Sequence, residues 1–169
     1  MDEKIEHLKF IICRYDTYIE STQTKSNLYL ALNTAILTGI ITLLTALRPE
    51  DRDINVILVL GITALLALVS ITITLLAITP YLKSVSNKSN SLIFFQEVSN
   101  MTYDDYHDKV EKISEAKFLK DLSCQAFSLA GGLKSKYQNL MIAGRIIIAE
   151  FMLLFICVIL FITKNLYNL

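Results

Sequence analysis

Three runs in this sequence, Leu28–Leu47, Ile54–Thr79 and Ile146–Thr163, are long and apolar enough to cross a lipid bilayer as helices. A crossing takes about 20 helical residues, and no water in the hydrocarbon can satisfy an open backbone. The chain must therefore fold as helices wherever it meets lipid. The rest of the composition agrees: 53% of its 169 residues are hydrophobic, and mean hydropathy is +0.48. The reading is an all-α membrane protein with an N-terminal transmembrane hairpin, a third C-terminal span and a cytoplasmic helical bundle or stalk.

The boundaries follow from the punctuation. Residues 1–27 form an amphipathic helix, with Ile5, Leu8, Ile12, Tyr15, Ile19 and Thr22 at alternating steps of three and four. Residues 28–79 are the hairpin, turned by Arg48-Pro49-Glu50-Asp51-Arg52-Asp53, where Pro49 stops one helix and the acids suit the start of the next. Residues 80–145 begin with the linker "KSVSNKSNS". From about Asp104 they continue as one helix, with Val110, Ile113, Leu119, Leu122, Ala126, Leu129, Leu133, Tyr137 and Leu140 on an apolar stripe that runs into the third span. Gly131-Gly132 are expected to loosen that helix, since glycine disfavours a helix interior by about 1 kcal/mol relative to Ala. Residues 146–169 are the third span and a short external tail. The first 27 residues lack a short apolar stretch with a small-residue cleavage site, so no cleaved signal peptide is expected.

Basic residues set the expected orientation. The N-terminal segment and the region from Lys83 to Arg145 hold thirteen Lys and Arg; the opposite side has Arg48, Arg52 and Lys164. By the positive-inside rule both polar segments are cytoplasmic and the C-terminus is external, in a multi-pass protein of a cell membrane.

Charge and motifs exclude several functions. Lys and Arg total 16 and Asp and Glu 16, so no net field recruits nucleic acid. Cys13, Cys124 and Cys157 fall in separate segments, and His7 and His107 are isolated, which argues against a disulfide framework or a metal site. No phosphate-binding glycine loop, dinucleotide fingerprint or zinc-protease motif is present, so no catalytic residue and no cofactor are assigned. Thr102 with Asp104 and Asp105 reads as a helix start rather than a set of acidic ligands. Phe94, Phe95, Tyr103 and Tyr106 could stack on a base, or pack the linker onto a helix.

Polar residues inside the spans are the next signal. Ala31, Thr34, Thr38, Thr42 and Thr45 share one side of the first span, and Thr63, Ala67, Ser70 and Thr74 one side of the second. Such stripes favour close helix packing, or a wettable face in a homo-oligomer. Glu150 stands in "GRIIIAEFMLLFICVILFIT", where a central charge disfavours insertion by about 2.5–3.5 kcal/mol. It is either an acid reaching the interface or a gating group facing the bundle interior.

Several stretches resemble the transmembrane effectors of Pycsar antiphage systems, the PycTM-type family. They are "TQTKSNLYLALNTAIL" before the first span, "SNSLIFFQEVSNMTYDDY" after the hairpin and "DLSCQAFSLAGGLKSKYQNL" before the last span. The two-plus-one order of spans is shared as well. Gln23 departs from the family by standing where an acid is expected two residues before Lys25. The resemblance implies an effector in a bacterial inner membrane, switched on by a cyclic pyrimidine nucleotide (cUMP or cCMP) from a neighbouring cyclase and impairing membrane integrity to stop the infected cell. Lys25, Gln125, Lys136 and Tyr137 are then the candidate ligand-binding residues, through a cation on phosphate and an aromatic on the base. Two alternatives stay open: an effector answering a cyclic oligonucleotide, or a structural membrane subunit without a ligand.

Overall fold

A computed structural model describes residues 2–46, 53–79 and 91–167, and every element among them is a helix. In chain order these are α1 (Asp2–Ala46), α2 (Ile54–Ile78), α3 (Phe95–Val98), α4 (Tyr103–Lys112) and α5 (Glu115–Tyr167). Helices α1, α2 and α5 each contain a stretch long and apolar enough to cross a membrane. Most of the hairpin turn, from Arg48 to Arg52, and most of the linker, from Lys83 to Asn90, lie outside the described residues. Asp53 caps α2, its carboxylate accepting from Asn55 N at 2.8 Å. At the other end Thr79 has extended backbone, as a residue before proline prefers.

The chain forms two compact units. One comprises residues 1–21 and 80–135, the other residues 22–79 and 136–169.

In the first unit Ile5, Leu92, Leu122, Ala126 and Leu133 are buried. The loop before α3 is held by side-chain oxygens. Asp121 on α5 accepts from Leu92 N at 2.8 Å, Glu97 accepts from Ser91 N, and the Ser91 hydroxyl accepts from Ile93 N and Phe94 N. Thr102 caps α4 by accepting from Asp105 N at 3.2 Å, and Asp104 and Asp105 lie in the first turn. The expected single helix from Asp104 is instead two. Ile113 is extended and ends α4. Ser114 then starts α5, its carbonyl accepting from Phe118 N and its hydroxyl from Lys117 N. Consequently α4 buries none of its residues, and Val110 is exposed rather than part of a continuous stripe. Helix α5 runs through Gly131-Gly132 unbroken, so the glycines do not interrupt it. Phe95 and Tyr103 are exposed, and Tyr103 stacks on His107.

The second unit packs three helices along a seam with heptad spacing. On α2 the buried positions are Val56, Leu60, Thr63, Ala67, Ser70, Thr74 and Ala77. On α1 they are Thr22, Ser26, Asn33, Ile36 and Ile40, and on α5 Leu140, Ala143, Ile147, Glu150 and Cys157. Alternating steps of three and four are the spacing of a left-handed coil. The far half of the seam is apolar, with Ile36, Ile40, Val56, Leu60, Ala67 and Cys157 in one cluster. Hydrogen bonds set the register: Asn33 Nδ2 donates to Ser70 Oγ at 3.1 Å, and Ser70 Oγ to Ala143 O at 3.4 Å. The α2 stripe read from the sequence is thus wholly buried. The α1 stripe is not. Ala31, Thr34, Thr38, Thr42 and Thr45 are exposed, and Thr34 and Thr45 donate back to carbonyls of their own helix.

Unlike Gly39 and Gly61, Gly144 has a close neighbour on another helix of this unit. A Cβ there would lie 2.8 Å from the Tyr29 hydroxyl oxygen and 3.3 Å from its Cζ. Gly144→Ala should therefore destabilise the detergent-solubilised protein by about 1 kcal/mol, at the low end of overpacking costs. Tyr29→Phe in the same chain should recover most of that loss, as read by thermal unfolding. Equal losses for Gly144→Ala with and without Tyr29→Phe would contradict this packing.

Candidate functional site

Three of the sequence-derived candidates meet at one end of the three-helix unit. Lys136 extends from α5 and places Nζ 2.7 Å from Ala77 O, 3.3 Å from Ile78 O and 3.3 Å from Thr79 O. These are the last carbonyls of α2, which have no partner within their own helix and sit at the negative end of its dipole. An ammonium has three hydrogens, and three carbonyls at that helix end lie within reach of them. The next residue, Tyr137, presents its ring to Lys25 of α1, with Nζ 5.3 Å from the ring centroid. Lys25 is exposed and Tyr137 partly so, in keeping with a cation–π contact worth about 0.5–1 kcal/mol. One corner thus gathers two cations, one aromatic face and a helix terminus.

Gln125 is not part of this corner as the units divide. It is half-buried in the other unit, one helical turn beyond Asp121, the residue that holds the Leu92 amide.

Glu150 lies deeper in the three-helix unit. It is 0% exposed, which excludes an acid lying open at the surface of the unit, and neither carboxyl oxygen has a hydrogen-bond partner. Its level follows from the register. Lys136 contacts Ala77 and, seven residues on, Ala143 meets Ser70; another step of seven brings Glu150 level with Thr63 on antiparallel α2 and Ile40 on α1. That step is roughly 10 Å along the helix. Thr63 is also fully buried and donates its hydroxyl hydrogen to Val59 O.

The residues that sequence reasoning missed are Asn33 and Asp121. Asn33 is 0% exposed and donates to Tyr29 O and Ser70 Oγ, while its Oδ1 has no partner. An asparagine amid "LYLALNTAIL" was the available signal, since a buried amide at a heptad core position specifies register. Asp121 opens the stretch that resembles the family before the last span, but its hold on the Leu92 amide was not readable there, because that partner is 29 residues away. Among the described residues no group of three or more His, Cys, Asp or Glu side chains is placed to hold a metal ion.

Comparison with known proteins adds the family. No curated protein and no solved structure matches the chain. A family model for the Pycsar effector protein domain matches residues 7–163, which takes in both compact units and all three apolar spans. The chain accordingly belongs to the Pycsar effector family of antiphage defence, with membrane-crossing helices as its structural core.

Proposed function

We propose that this protein is the membrane-impairing arm of a Pycsar response. A cyclic pyrimidine nucleotide, cUMP or cCMP, made by a neighbouring cyclase, engages the Lys25–Lys136–Tyr137 corner and loosens the three-helix unit in the bacterial inner membrane. Glu150 acts as the gating group. The protein works as a homo-oligomer without catalysis or cofactor.

The observation that carries the reading is Lys136 on the Ala77, Ile78 and Thr79 carbonyls. A phosphate offers an ammonium stronger, charged acceptors than neutral carbonyls. A nucleotide phosphate at this corner therefore competes for the group that caps α2, and the Tyr137 ring offers a face for a base. Taking Lys136 away uncaps α2 at the end of its span. Binding and loosening are then one event, which gives the ligand the differential affinity that any switch requires. The threshold for such a switch is modest. Contacts worth 1–2 kcal/mol change a two-state ratio by roughly 5–30-fold.

Supplying cUMP or cCMP to cells that make the protein should depolarise the inner membrane, whereas cAMP and cGMP should not. Lys136→Ala should raise leakage in the absence of nucleotide and flatten the dose-response, because it removes both the cap and the phosphate contact. Basal leakage and dose-response equal to the parent protein would eliminate Lys136 as the switch.

Orientation can be tested separately. Thirteen of the sixteen basic residues lie in the segments assigned to the cytoplasm. A periplasmic-active reporter fused after Leu169 should be active, and one fused after Leu140 silent. Activity at both positions would overturn the three-span topology.

A further inference from the structure

From Thr74 to Thr63 on α2 the seam of the three-helix unit offers oxygen atoms and few uncommitted hydrogen-bond donors, while its far half is apolar. Ser26 donates its hydroxyl hydrogen to Thr22 O, Thr63 to Val59 O, Thr74 to Ser70 O and Ser70 to Ala143 O. Asn33 has committed Nδ2 to Tyr29 O and Ser70 Oγ. A hydroxyl has one hydrogen and two lone pairs, and a primary amide has two hydrogens. What remains along the seam is therefore lone pairs: those of the hydroxyls, Asn33 Oδ1 and both oxygens of Glu150. Asn33 Oδ1, Glu150 Oε1 and Glu150 Oε2 are buried without any hydrogen-bond partner, and their residues are 0% exposed. Among the described residues no Lys, Arg or His is buried in the seam. Lys136, at its end, directs its ammonium to the carbonyls of α2.

We infer that this seam is a cation path: when the unit loosens, small monovalent cations enter it, and Glu150 sets the sign of the ions that cross. Hard cations exchange hydration water for carboxylate, carbonyl and hydroxyl oxygens. An anion needs donors, and the Ser26, Thr63, Ser70, Thr74 and Asn33 hydrogens are already engaged on backbone carbonyls and on Ser70 Oγ. Two levels carry the unmatched oxygens, Asn33 with Ser70 and Glu150 with Thr63, roughly 10 Å apart. Once water enters the loosened seam and the Glu150 carboxyl ionises, it supplies a single negative charge, which suits a monovalent ion. The inference rests on the membrane-impairing reading above and specifies what leaks.

The test is the ionic selectivity of the full-length protein in planar bilayers of phosphatidylethanolamine and phosphatidylglycerol, with and without cUMP or cCMP. Under a potassium chloride gradient the current should reverse near the potassium potential. Replacing potassium by the bulky cation N-methylglucamine should abolish it. Glu150→Gln preserves shape and should move the reversal potential most of the way to zero. A current in the parent protein that reverses near zero or toward chloride, or that carries N-methylglucamine as readily as potassium, overturns the cation path and leaves membrane impairment standing. Selectivity unchanged by Glu150→Gln overturns the role of Glu150. No current under any nucleotide removes the membrane-impairing reading, and the cation path with it. A current without nucleotide dependence removes only the trigger.

Discussion

The bond from Asn33 Nδ2 to Ser70 Oγ holds the three-helix unit in register. Apolar side chains alone specify it weakly, because lipid is as apolar as leucine and helices in a bilayer gain little by burying one apolar face on another. A polar pair is different. Slipping α2 by one heptad would set Asn33 opposite Thr63 or Ala77, and would part Ser70 from Ala143. The same register brings Lys136 to the carbonyls of Ala77 to Thr79 and Glu150 to the level of Thr63. The corner proposed for the messenger and the seam proposed for ions thus depend on one alignment.

That alignment has a cost in stability. A seam filled at every layer by leucine and isoleucine would have no unmatched oxygen, and here Asn33 and Glu150 leave three. Groups of this kind are destabilising when dry and are relieved by water or a cation. A resting unit with such oxygens is biased toward a hydrated form and needs restraint at its ends. The Lys136 contacts supply one restraint, and the apolar cluster around Leu60, Ala67 and Cys157 supplies another over the far half of the seam. The opening proposed above requires this balance: a polar interior with unmatched oxygens, held by a few removable contacts.

The helical architecture was legible because lipid leaves a chain few choices. Three long apolar runs, Pro49 between two of them and alternating three-and-four spacing lead to the same elements that α1, α2 and α5 display. Less legible was where a helix ends for local reasons. The break at Ile113 and Ser114 lay in "KISEAKF", a serine followed by an acid, but the apolar periodicity spoke more strongly for continuity. Facing was harder still. The first span offered a row of threonines and, one step round, Asn33; the threonines are exposed, Thr34 and Thr45 bonding to their own backbone, and the lone amide faces the seam. Which stripe is inside depends on the partner helix, and one helix read alone does not contain it.

Lys136 shows the same limit in the candidate site. Sequence placed it before the third span beside Tyr137, where a lysine would ordinarily reach for lipid headgroups. Only the antiparallel return of α2 brings three carbonyls under its ammonium. The lysine is consequently occupied at rest, and that changes what a ligand must do. A free lysine would add phosphate affinity and nothing else, binding equally in a closed and an open unit and shifting neither. A lysine already engaged couples the two: each increment of phosphate contact is an increment of lost capping. On the proposed reading, the ordinary chemistry of a helix terminus is what connects a messenger to the membrane.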